Sequence, residues 1–226
     1  MRYFRLLFFQ TDLIYDVELI IKYTGDDMRV KNKKRGRPFK TDEKLSAEAI
    51  VKSATRLIQL TGKIPSIRQV SRTLDVDPMA IYHYFPNKAA LLEAVTVDLM
   101  GSIYKPNGQE VWQGELLCLC DSYLKLLKEH AGLLEIMLSM SDVGPAQIFV
   151  SRFQAIILPL KLTDSDMQDA IDLLVDYLHG FALAMRCNDD NLTLTTDMAG
   201  GPIKFYMDAL EGKSNLVSHN HTAQSP

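Results

Sequence analysis

Three helix starts crowd into about two dozen residues of this chain, and they limit what can form there more than any other feature. Ser66 stands three residues before Gln69, the spacing of a capping box. Asp77 precedes Pro78, a cap followed by proline at the first helical position. Asn87 follows Pro86 and can cap a third start. The stretch "SIRQVSRTL-DVD-PMAIYHYF" therefore reads as a helix, a tight turn and a second short helix. Ile67, Val70 and Leu74 are the inward positions of the first, and Ile81 and Phe85 anchor the second. Met79, Ala80, Tyr82, His83 and Tyr84 are left nearer the other side. A short helix anchored on one face and carrying polar aromatic tips on the other suits a DNA major groove, about 12 Å wide. Phenol and imidazole groups there can reach phosphates and base edges.

The surrounding pattern is helical throughout. An earlier helix opens after Ser46 with Ile50, Val51, Ala54, Leu57, Ile58 and Leu60 on one face, and Gly62 ends it. A fourth follows Asn87, with Ala90, Leu91, Ala94, Val95 and Leu99 as its buried stripe. Beyond Lys105-Pro106-Asn107-Gly108, helices are expected at about 110–129, 132–140, 145–160, 164–187 and 196–211. No strand alternation persists. The fold class is all-α: a three-helix helix-turn-helix head, joined by a fourth helix to a helical body. The expected divisions are 1–44 (extension and arm), 45–104 (head and linking helix), 105–212 (body) and 213–226 (a polar tail).

Charge separates along the same lines. Residues 28–100 hold 14 Lys and Arg against 7 Asp and Glu, and residues 101–226 hold 8 against 16. A basic N-terminal part suggests nucleic acid as its partner. The arm "MRVKNKKRGRPFKT", 28–41, has seven cations and no acid, and is expected to stay mobile until it binds. Its "RGRP" is similar to the core of an AT-hook, so Arg35 and Arg37 can enter a narrow minor groove or serve as an electrostatic tail.

At residues 45–104 the chain resembles the DNA-binding domain of the TetR/AcrR family. The resemblance rests on "AIVKSATRLIQLTG" and "SIRQVSRTLDVDPMAIYHYFPNKAALLEAV", above all on Tyr82–Phe85, Asn87-Lys88 and Leu91-Leu92. It implies base contacts from Arg68, Met79, Ala80 and His83, and phosphate contacts from Ser66, Tyr82, Tyr84 and Lys88. It implies a homodimeric repressor that binds a near-palindromic duplex and is released by a small-molecule effector. The body resembles the family more loosely; dimerisation would run through 164–187 and 196–211. Asp75 stands where the family often has glycine, and aspartate tolerates the left-handed turn. A chain opening at Met28 would have 199 residues, a usual size for the family, so the start at Met1 is expected to lie upstream of the native one, the alternative being that residues 1–27 are an accessory segment packing on the body.

Within the body, Trp112, Met137, Met140, Phe149, Phe153, Tyr177 and Met185 are candidates to line an apolar or amphipathic effector site, and they suit a plain core equally. His179, in an apolar run, reads as a core or interface histidine before a ligand contact. Cys118 and Cys120 diverge by about 160° round a helix and cannot easily share a metal. No metal or cofactor is expected. No G-x-x-x-x-G-K, H-E-x-x-H or G-x-S-x-G motif is present, so an enzyme or interaction module that kept a helix-turn-helix is the weaker alternative. No apolar run reaches membrane-spanning length and the start lacks a secretory h-region, so the protein reads as cytoplasmic.

Overall fold

Every regular element that the computed structural model describes is a helix. It describes residues 45–140, 144–187 and 194–222, with side chains up to 214. The basic arm, with Arg35 and Arg37, lies outside the described residues, as do residues 1–27.

The head begins with α1 (Ala47–Thr61), which buries Ile50, Val51, Ala54 and Ile58. Gly62, at φ +62°, ends it by donating its N–H to the Ile58 carbonyl at 2.8 Å. Leu60 departs from the expected face and is 72% exposed. It lies about 200° round the helix from Ile58, at 100° per residue, so the last turn aims it away from the core. Then come α2 (Ile67–Thr73), α3 (Pro78–Tyr82) and α4 (Lys88–Gly101).

α4 packs on both sides. Leu91, Val95 and Leu99 are buried, as expected, and so are Leu92, Thr96 and Met100. At 100° per residue these six side chains cover about half of the helix, and Lys88 and Asp98 stay exposed on the rest. α4 meets α1 from the head and α5 (Trp112–Glu129), α6 (Leu133–Ser139) and α7 (Gly144–Ile157) from the body. It is therefore the linking helix. The Thr96 hydroxyl is satisfied inside this packing by donating to the Leu92 carbonyl at 2.8 Å.

α7 closes with a 3-10 turn, Leu158–Leu160, and α8 follows (Asp164–Cys187). A second 3-10 turn, Thr196–Ala199, leads into α9 (Gly200–Thr222). α9 runs well past the expected end at 211, into the stretch read as a polar tail. Pro202 sits in its first turn and no proline follows it within the helix, and Lys213 and Ser214 tie the helix down: Lys213 pairs with Asp166 at 2.6 Å and Ser214 donates to the Leu160 carbonyl at 2.8 Å. Tyr206 joins α9 to α8 by donating to the Ala170 carbonyl at 2.8 Å. Among the described residues no single helix is long and apolar enough to cross a membrane.

Candidate nucleic-acid interface

Local chemistry sets each bound of the helix-turn-helix. Ser66 and Gln69 form the full capping box: the Ser66 hydroxyl accepts from the Gln69 N–H at 3.2 Å, and the Gln69 side chain accepts from the Ser66 N–H at 2.8 Å. The turn passes through Asp75 at φ +52°, the left-handed conformation expected there. Asp77 caps α3 by accepting from the Met79 N–H at 2.7 Å, with Pro78 at the first helical position. Asn87 caps α4 by accepting from the Ala90 N–H at 2.8 Å.

α3 is shorter than the sequence suggests. It ends at Tyr82, and His83 and Tyr84 sit in a following turn, not on the helix. The turn still winds like a helix, because Phe85 donates its N–H to the Ile81 carbonyl at 3.0 Å. Ile81 is fully buried and Phe85 is 8% exposed, so the two anchors hold the segment down as expected. The opposite side faces out. Met79 is 63% exposed, and Tyr82, His83 and Tyr84 are exposed beside it. Arg68 and Lys88 are exposed, and Ala80 is half-buried. Ser66 is exposed too, but its hydroxyl donates to the Gln69 carboxamide oxygen at 2.9 Å. A phosphate contact from that hydroxyl would compete with the cap.

The candidate ligand residues do not gather in one place. Phe149 and Phe153 are core, at 3% and 0% exposure. Phe149 packs against Tyr123 with the rings tilted by 48° and their centroids 4.8 Å apart, and the Met137 sulfur lies 3.9 Å from the Tyr123 hydroxyl. The same hydroxyl meets His179 Nε2 at 2.6 Å. Burial lowers the His179 pKa to about 4, so the imidazole is neutral near pH 7. Tyr177 lies elsewhere, with its hydroxyl toward the Ala199 carbonyl at 3.5 Å and its ring against Phe181. Trp112 opens α5 and Met140 ends α6, both half-buried. Cys118 is exposed and Cys120 buried, on opposite sides of α5.

Sequence reasoning missed the residues that brace the end of α4 and the segment after it, and that join α1 to the end of α5. Arg152 of α7 donates to the carbonyls of Gly101 at 2.9 Å and Ile103 at 2.5 Å, at the end of α4. Glu115 of α5, 5% exposed, accepts through one oxygen from the N–H groups of Asn107 at 2.9 Å and Gly108 at 2.7 Å. Gln59 of α1 meets His130 Nε2 at 3.5 Å. In a sequence each of these looks like a residue on a solvated helix face, and no local signal would have found them.

A helix-turn-helix with its aromatic side outward, carried by a linking helix on a helical body, is the layout of a DNA-binding regulator. Residues 50–95 match the family model for bacterial regulatory proteins of the tetR family, and residues 105–198 match that for the tetracyclin repressor-like C-terminal domain. The chain belongs to the tetR family of bacterial regulatory proteins, and is accordingly a transcriptional regulator and not an enzyme. Solved structures agree on the fold. Mycobacterium smegmatis BioQ is 21% identical over 75% of this chain and 99% of its own, with a TM-score of 0.62. BioQ with its natural double-stranded DNA operator gives 21%, 75%, 99% and 0.61. Streptomyces coelicolor ActR in complex with (S)-DNPA is 16% identical over 76% of this chain and 100% of its own, with a TM-score of 0.62. No curated protein matches the chain in sequence.

Proposed function

We propose that this regulator is a homodimeric repressor that binds a near-palindromic operator through two copies of the segment 66–88 and leaves it when a small molecule occupies the body. The single observation that supports this best is the polarity of the segment 78–85. Ile81 and Phe85 are buried, while Met79, Tyr82, His83 and Tyr84 point out together. Met79, Ala80, His83 and Arg68 are assigned to base edges, and Tyr82, Tyr84, Lys88 and Ser66 to phosphates. Arg35 and Arg37 add minor-groove or electrostatic contacts from the arm. Residues 45–104 are assigned to DNA and 105–212 to ligand and dimer contacts. The protein works in the cytoplasm, where the operator is.

Exposed apolar side chains support the dimer. Leu173 and Leu183 of α8 and Phe205 of α9 are 63%, 43% and 79% exposed. Large apolar groups left outward on two long helices mark an interaction face. Two heads must then present their α3 helices about 34 Å apart along one face of the duplex.

BioQ has been solved on its operator and ActR with small molecules, including actinorhodin. An effector here is assigned to the body, on the side where Met137 and Phe149 lie against Tyr123. The test is binding to the DNA upstream of the chain's own reading frame at two salt concentrations. The expected result is tight, site-specific binding with a steep salt slope, shallower once residues 1–40 are deleted. Equal affinity for unrelated duplexes at both salts contradicts the reading.

A further inference from the structure

We propose that Arg152 is the positioning residue through which the body sets the direction of α4, and with it the direction of the head. The last carbonyls of a helix have no partner inside it, and a cation placed there also meets the negative end of the helix dipole. Arg152 takes up that role for α4 from another helix. Its Nη2 donates to the Gly101 carbonyl at 2.9 Å, and its Nη1 donates to Ile103 at 2.5 Å, with Met100 and Tyr104 at 3.5 and 3.4 Å. Four carbonyls within the five residues 100–104 therefore lie around one planar fork, those of Gly101 and Ile103 closest. The contact spans about fifty positions of sequence, so it is made only when α7 and α4 hold one particular register. None of the ion pairs among the described residues involves Arg152.

A second grip acts just beyond. Ser122 of α5 accepts from the Tyr104 N–H at 2.8 Å, and Glu115 accepts from Asn107 and Gly108. The exit of α4 is thus held by its carbonyls from α7 and by the following amides from α5. The guanidinium plane makes the α7 grip directional, because two nitrogens must reach carbonyls on different sides of the helix end. A shift of α7 moves the fork, and α4 must follow or lose its acceptors. Because α1 packs on α4, the head follows too.

The consequence for DNA rests on the repressor reading above; the effect on α4 does not. Spin labels at Thr73→Cys in the head and Gln168→Cys in the body, on a Cys118→Ser, Cys187→Ser background, report one distance. Diluting the labelled chain tenfold with unlabelled chain restricts the readout to pairs within one protomer. The parent is expected to give one narrow distribution. Arg152→Met is expected to broaden it well below the melting temperature. Arg152→Lys, which keeps the charge and the stem but has no fork, is expected to broaden it as well. Arg186→Met, which breaks only the surface pair with Glu135, is expected to leave it narrow. Unchanged distributions in folded Arg152→Lys overturn the proposal, whatever Arg152→Met does to folding. On a duplex chosen by site selection, both Arg152 variants are expected to bind about tenfold more weakly if roughly a tenth of the heads remain aligned. A parent that binds no duplex defeats the repressor reading and leaves the distance result to decide on Arg152.

Discussion

Tyr123 of α5 and His179 of α8 share a hydrogen bond of 2.6 Å inside the body, at 2% and 7% exposure. The pair makes stability depend on pH. Burial holds the His179 pKa at about 4, below the ordinary value of 6.5. Between those values the unfolded chain binds a proton that the folded chain refuses. Stability is therefore intact above about pH 6.5 and falls as pH drops toward 4, by roughly 3 kcal/mol at most from this group. His130 is shifted the same way by burial. Melting temperatures measured from pH 7.5 to 4.5 should fall, and His179→Gln should fall less steeply than the parent. Equal slopes would remove His179 from the account.

The anchors of the helix-turn-helix should separate cleanly from its outward residues. Ile81→Ala empties a site with no exposure and should cost about 2–5 kcal/mol. Met79→Ala, at 63% exposure, should stay within about 0.5 kcal/mol of the parent. Denaturant melts of both variants settle this. A large loss from Met79→Ala would mean that the side taken here as facing DNA is packed.

His83 and Tyr84 should divide the labour of recognition. His83→Ala should change which bases are preferred and cost about 1–3 kcal/mol in binding. Tyr84→Phe removes one hydroxyl and should weaken every sequence alike by about 0.5–1.5 kcal/mol. Site selection from a randomised duplex pool distinguishes the two. An unchanged preference in His83→Ala would move base reading to Arg68 and the start of α3.

The turn offers a third test. Asp75 holds φ +52°, where a side chain costs about 1–2 kcal/mol and glycine costs little. Asp75→Gly should be neutral to stabilising by up to about 1 kcal/mol, and Asp75→Val should destabilise by about 1–2 kcal/mol. Thermal melts decide; a stable valine variant would mean the turn can rearrange.

The dimer is tested at Phe205, the most exposed large apolar side chain among the described residues at 79%. Phe205→Asp should give monomers at micromolar concentration in sedimentation, with the melting curve little changed and DNA affinity lost. A dimer that survives places the interface elsewhere.

The legible parts of this protein were the local ones. Caps at Ser66, Asp77 and Asn87 act over three residues, so the sequence displays them whole. On α4 the stripe through Leu91, Val95 and Leu99 was legible, but Leu92, Thr96 and Met100 widen it on one side while Ala90 and Ala94, on the other, are only half-buried. The sequence carries α3 three residues too far, to Phe85, because the chain still winds there: Tyr84 and Phe85 both donate to the Ile81 carbonyl beyond the last regular residue, Tyr82. Arg152 and Glu115 were invisible for a different reason. Their partners are backbone groups of a remote segment, and a backbone carbonyl has no letter in a sequence.

Gly62 and Gly132 meet where the end of α1 touches the start of α6. A Cβ on residue 132 would come within 3.1 Å of the Gly62 carbonyl oxygen and 3.6 Å of Ile58. That closeness bears on building hybrid regulators. A foreign DNA-reading module spliced onto this body would inherit a seam with no room for a side chain at residue 132. A graft that carries a bulky residue across that corner would tilt the borrowed module before it met any duplex. The partner modules best suited to exchange are those whose first helix also ends in a bare backbone turn.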